Sequence, residues 1–198
     1  MAEATTQIAR ARVSFVAATT GEWLIERVSA VRGEPLGLAD ALTRLEGPHF
    51  STPPDAAWTL RGVRSHERYL RRDEKHRLAS IQEGLGRATS SRAALIPIAK
   101  SAAWWDLAQD ERRAILEERS AHIALGSRYL PAIARRLYHG RDLGEPFDFL
   151  TWFEFAEADA GAFDELVGRL RETEEWRYVL REVEVRVRRG ATPGPLAA

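Results

Sequence analysis

No cysteine occurs anywhere in this chain of 198 residues. Disulfides, thiolate metal sites, iron–sulfur clusters and cysteine nucleophiles are excluded together. Any metal must be held by His, Asp, Glu or Tyr, or arrive inside a cofactor. Net charge is absent too, because 29 Lys and Arg balance 29 Asp and Glu. That balance gives no electrostatic basis for a nucleic-acid or anionic-membrane partner. No apolar run approaches the roughly 20 residues of a membrane span. The opening MAEATTQIARARVSF lacks the apolar core of a secretory signal. The expected location is the cytoplasm.

Tryptophan is plentiful instead: Trp23, Trp58, Trp104, Trp105, Trp152 and Trp176. Such large flat side chains suit a core, and also the walls of a cofactor pocket. The content, 44% apolar and 29% charged, is that of a globular protein. The length allows one domain with a real core, or two small fused halves.

Residues 1–10 read as a flexible arm and 190–198 as a disordered tail. Between them, 11–17 and 22–28 read as strands, rich in β-branched and aromatic residues. Residues 37–45 read as a short helix, with Leu38, Ala41, Leu42 and Leu45 at helical spacing. Residues 57–63 alternate as a strand, 67–81 read as partly helical, and 82–92 as a glycine-containing loop. In the second half 93–98 is a strand, its Pro97 marking an edge or a bulge. One helix over 109–126 follows, then strands over 130–139 and 147–155. An amphipathic helix over 159–171 carries Phe163, Leu166, Val167 and Leu170 on one stripe. A half-exposed strand over 179–188 closes the chain.

From residue 93 the order is β-α-β-β-α-β, the ferredoxin-like unit. Residues 11–92 read as a truncated copy of it, and 93–189 as the complete half. Two such halves can join their sheets into an α+β barrel with helices outside, leaving no free edges.

Several residues in 100–135 stand out. His122 shares a helical face with Ile115, Arg119 and Gly126, which suits either a hydrogen-bonded core histidine or an axial ligand to haem iron. Strand alternation puts Arg135 between Ile133 and Leu137 on one face. It either snorkels at the barrel rim or aims a permanent charge at an anion. Trp104 and Trp105 are either core aromatics or a porphyrin wall, with Lys100 pairing a propionate. Glu175, in ETEEW, reads by pattern as a solvated charge. His49, His66, His76 and His139 read as surface residues.

The motifs K-x-x-x-W-W at 100–105, the helix histidine, R-R-L-Y-H at 135–139 and D-F-L-T-W-F-E at 148–154 stand in one order. In this the chain resembles the chlorite dismutase family, and its short N-terminal half resembles the small, dimeric branch. The resemblance implies a dimeric α+β barrel with haem b in the C-terminal half. It makes His122 the proximal iron ligand and Glu175 the acceptor for its Nδ1. Arg135 becomes the distal arginine, which Gln82 can hold inward, and Leu137 packs the distal pocket. Lys100 and Tyr69 would bind propionates, and Trp104 would line the haem edge. The implied reaction converts the small anion chlorite to chloride and dioxygen, through a ferryl and hypochlorite pair. A homodimer is the implied assembly.

Two other readings stand beside it. Coproheme decarboxylases share the barrel and the proximal histidine, but typically lack the distal arginine. From another class comes a non-catalytic barrel that carries or senses haem.

Overall fold

The computed structural model of the chain describes residues 12–65 and 84–190. Eight strands form a closed barrel in the order β1-β3-β2-β8-β5-β7-β6-β4. They are β1 (Arg12–Ala18), β2 (Trp23–Arg32), β3 (Ala41–Gly47), β4 (Trp58–Arg64), β5 (Arg92–Lys100), β6 (Ala134–His139), β7 (Phe149–Phe155) and β8 (Val179–Arg189). Every neighbouring pair is antiparallel, and β1 closes the ring by pairing with both β3 and β4. Among the described residues four α-helices lie outside the barrel: α1 (Ala102–Asp106), α2 (Gln109–Arg113), α3 (His122–Ser127) and α4 (Ala160–Arg171).

The order β8-β5-β7-β6, with helices after β5 and β7, is the expected ferredoxin-like half. The α+β barrel is as the sequence implied. The first half departs from expectation. Residues 41–47 form β3, paired along its whole length with β1, not a helix. Leu42 is fully buried while Leu38 is 89% exposed, so the apparent helical stripe does not share a face. Pairing with β1 overrides the local spacing. Pro97 lies at neither a bulge nor an edge. It sits within β5, opposite Leu150, and the register with β8 has no partner at Ile96 or Pro97. A missing proline N–H is harmless in such a gap.

Alternation along each strand builds two cores. Phe15, Trp23, Leu95, Tyr138 and Trp152 fill the barrel interior. Trp152 lies 5.6 Å from Phe15 and 5.4 Å from Trp23, ring to ring. The outward faces of β5 and β7 carry Ile96 and Phe153, packed with Ile133 under Phe163, Leu166 and Leu170 of α4. The second core is where α4's predicted stripe is buried. Burying one such side chain contributes about 1.5–3 kcal/mol.

The predicted helix over 109–126 is broken. After α2, residues Ala114–Arg119 form a π-helical turn, and Ala121 takes a left-handed conformation before α3. The strand expected over 130–139 begins only at Ala134. The final strand is more buried than expected. Glu182 and Glu184 are 1% and 2% exposed, covered by ion pairs to Arg171 and, for Glu184, to Arg27 and Arg186.

Candidate haem and substrate site

Lys100 ends β5, His122 opens α3, and Glu175 lies in the 3-10 turn Glu174–Tyr178. These three distant residues meet under the outer layer. His122 Nδ1 is 2.7 Å from Glu175 Oε2. The Lys100 ammonium donates to Glu175 Oε1 at 2.8 Å, with the lysine side chain only 2% exposed. Burial by itself would raise the Glu175 carboxyl, but His122 and Lys100 outweigh it and hold it down at about 2. A carboxylate without a proton can only accept, so Nδ1 of His122 carries the hydrogen. Nε2 is then the nitrogen open to an electrophile, and Glu175 makes the ring a stronger donor.

The surroundings fix this chain of contacts. Trp176 stacks on the His122 ring at 6.4 Å and 20°, and its indole N–H donates to buried Glu182 at 2.8 Å. Lys100 lies over the Trp104 ring at 4.7 Å and the Trp176 ring at 5.4 Å. Asp148 accepts the Lys100 backbone N–H at 2.6 Å, which sets the end of β5.

Arg135 faces outward from β6 beside Ile133 and Leu137. Its guanidinium reaches α3 one turn beyond His122. A Cβ on Gly126 would lie 2.3 Å from Nη1 of Arg135, so this close approach requires glycine. Burial lowers the Arg135 pKa from the ordinary arginine value, and Glu117 pulls it back. The entry to β6 is clamped by Arg87, which donates to Pro131 O at 2.9 Å and Ala132 O at 2.8 Å.

Comparison with known proteins places this geometry. The chlorite dismutase family model matches residues 3–189. The chain belongs to the chlorite dismutase family. It is 30% identical over 145 residues to the chlorite dismutase of Ideonella dechloratans, covering 71% of this chain. The chain spans about half the length of that relative, the match covering 48% of it. A crystal structure of a dimeric chlorite dismutase from Nitrobacter winogradskyi superposes with a TM-score of 0.84 at 54% identity. It covers 90% of this chain and 99% of that one. A mutant chlorite dismutase from Candidatus Nitrospira defluvii shares the fold, with a TM-score of 0.68 at 21% identity, covering 95% and 94%.

Of the residues the family resemblance singles out, His122, Glu175 and Arg135 come together around α3. Lys100, to which the resemblance gave a propionate, has its ammonium engaged by Glu175 inside the protein, where it supports the histidine's partner. Glu175 is likewise buried, not the solvated charge its polar neighbours suggested. Trp104 is buried against Lys100 and Tyr178. Trp105 lies between Phe149 and Arg141. Leu137 is exposed beside Arg135. His139 is not a plain surface residue: its ring bonds Ser65 Oγ at 2.8 Å and packs on Phe149. Gln82, Tyr69, His66 and His76 lie outside the described residues. Sequence reasoning missed Trp176 and Glu182 as partners of the histidine's surroundings. No local pattern marks a tryptophan whose role depends on a ring 54 positions away.

Proposed function

We propose that this protein is a haem b-dependent chlorite dismutase that converts chlorite to chloride and dioxygen and works as a homodimer. The observation that carries the reading is the part-buried hydrogen bond from His122, on the helix that Arg135 lies against, to buried Glu175. The likeness to the dimeric Nitrobacter winogradskyi enzyme over 90% of the chain supports both the activity and the dimer.

The residues fit haem. The site offers one imidazole with its second nitrogen held by a carboxylate, which is the donor a porphyrin iron takes on one face. Among the described residues no three His, Asp or Glu side chains gather as a metal cage. The bare backbone at Gly126, one turn from His122, lets the Arg135 guanidinium lie against α3. Residues 93–189 form the half that would hold it, with Trp104 at its edge. Tyr69 belongs to this reading as a propionate contact.

When bound, haem supplies the iron at which the chlorine–oxygen bond is broken and the oxygen–oxygen bond is made. His122 would hold that iron through Nε2. Glu175 keeps the proton on Nδ1 and gives the ring part of its negative charge, while Lys100 fixes Glu175. Arg135 would attract the chlorite anion and hold small anions in the pocket. A permanent charge does this without a proton of its own, and a low-dielectric wall strengthens it. Leu137 would add apolar surface beside Arg135, and Gln82 belongs to this reading as the residue that holds Arg135 inward. No general base is needed, because chlorite, chloride and dioxygen balance without proton transfer.

The test is oxygen release from chlorite by haem-loaded protein at mildly acidic pH, followed on an oxygen electrode. One dioxygen per chlorite, lost in His122→Ala, is the expected result. A normal ferric haem spectrum without oxygen release would overturn the activity and redirect the search to porphyrin chemistry.

A further inference from the structure

Ser120 and His122 both hold Glu175, although they are two residues apart on one segment. His122 Nδ1 meets the Glu175 carboxylate at 2.7 Å. Ser120 Oγ accepts the Glu175 backbone N–H at 3.2 Å. On an unbroken α-helix successive residues turn by about 100°, so residues i and i+2 point to nearly opposite sides. They could not close on one partner.

Here the helix is broken at the residue between them. The π-helical turn Ala114–Arg119 ends at Ser120, and Ala121 adopts φ 49° and ψ 36°. Among the described residues Ala121 is the one non-glycine at positive φ. That left-handed step re-aims α3 against the preceding turn and brings both side chains to the same side. Glu117 closes the joint from the other side. Its carbonyl accepts the Ala121 N–H at 3.0 Å, and its carboxylate accepts the Ile123 N–H at 3.0 Å. Ser120 is 7% exposed, so water competes weakly for its bond.

We propose that the left-handed Ala121 joint, together with the Ser120 hydroxyl, is the positioning device that aligns the His122 imidazole with Glu175. Both residues act through His122 and Glu175 and touch no reacting atom. Only the haem-release readout below rests on the reading of His122 as iron ligand.

The deciding readout needs no haem. In the isotope-labelled full chain, an Nδ1 proton shared with a buried carboxylate resonates far downfield and exchanges slowly. Ser120→Ala and Ala121→Val should move that proton upfield and broaden it, because one removes the hydroxyl and the other resists the left-handed conformation. Ala121→Gly adopts that conformation freely and should keep the signal. In haem-loaded protein the two disruptive variants should release haem about tenfold faster, as loss of an outer support typically does. Ser120→Thr should restore the wild-type rate. Wild-type proton position and haem release in Ser120→Ala would overturn the proposal, whether or not Ala121→Val folds. A wild-type protein with the downfield proton, lost in Ser120→Ala, but with no haem uptake would uphold the device and sink the haem reading.

Discussion

The Lys100 ammonium and the Glu175 carboxylate form a 2.8 Å ion pair with 2% and 7% of their side chains exposed. The same carboxylate holds His122, so a cation and an imidazole share one anion. Removing the cation leaves a buried charge with one partner fewer, which typically costs about 3–5 kcal/mol. Lys100→Met should therefore lower the melting temperature markedly. It should also leave more negative charge on Glu175 for His122, raising the iron–histidine stretching frequency of the haem-loaded protein. A lysine serving a propionate would instead weaken haem binding and leave that frequency unchanged. Resonance Raman spectra of the ferrous protein separate the two.

The Arg135 guanidinium lies against Gly126 of α3, one turn beyond His122. Arg135→Ala should keep haem while oxygen release falls by at least about tenfold, since a preorganised donor aimed at an anion is lost. The escaping oxychlorine anion should bleach the haem after fewer turnovers. Soret absorbance followed alongside oxygen release checks both. Equal turnover number and equal haem lifetime in mutant and wild type would remove Arg135 from the reaction.

Gly126 is held to glycine by the guanidinium that lies against it, not by its backbone. A Cβ there would meet Nη1 at 2.3 Å, the far end of a flexible side chain. The arginine can yield, so folding need not suffer. Exchange of a helical glycine for alanine adds roughly 0.5–1 kcal/mol. Gly126→Ala should thus melt at or above the wild-type temperature, yet take up haem less completely and turn chlorite over more slowly. A drop of several degrees in melting temperature would show instead that the close approach is structural.

Much of this was legible in the sequence, for physical reasons that can be named. Strand alternation at Ile133, Arg135 and Leu137 gave their shared face because period-two patterning survives any sheet context. The α4 stripe was legible because all four of its apolar residues face one core. Residues 37–45 misled because helical spacing over a short window also fits a loop running into a strand. The break in the expected long helix was invisible, since nothing marks an alanine as left-handed. Lys100 and Glu175 were hardest. They are 75 positions apart, each looked solvated or free beside its neighbours, and only the closure of β5 against the 3-10 turn makes them a pair.

Tyr138 supplies a pH-dependent test of the barrel interior that is independent of the haem site. Its hydroxyl donates to Glu46 at 2.7 Å, with Arg44 and Arg136 beside the same carboxylate. Burial, then the bond to Glu46, pushes the phenol up to about 12 from its ordinary value of 10.0. In the window between those values the unfolded chain loses this proton while the folded chain keeps it. Rising pH therefore favours unfolding. The contribution is fully present below about pH 10 and is lost by about pH 12, on the order of 2 kcal/mol. Tyr138→Phe should be less stable at neutral pH by about 1 kcal/mol through the lost bond. It should also show a shallower alkaline decline than wild type. Urea unfolding of both proteins across this range measures the difference, and parallel declines would mean that Tyr138 ionises as freely in the folded protein as in the unfolded chain.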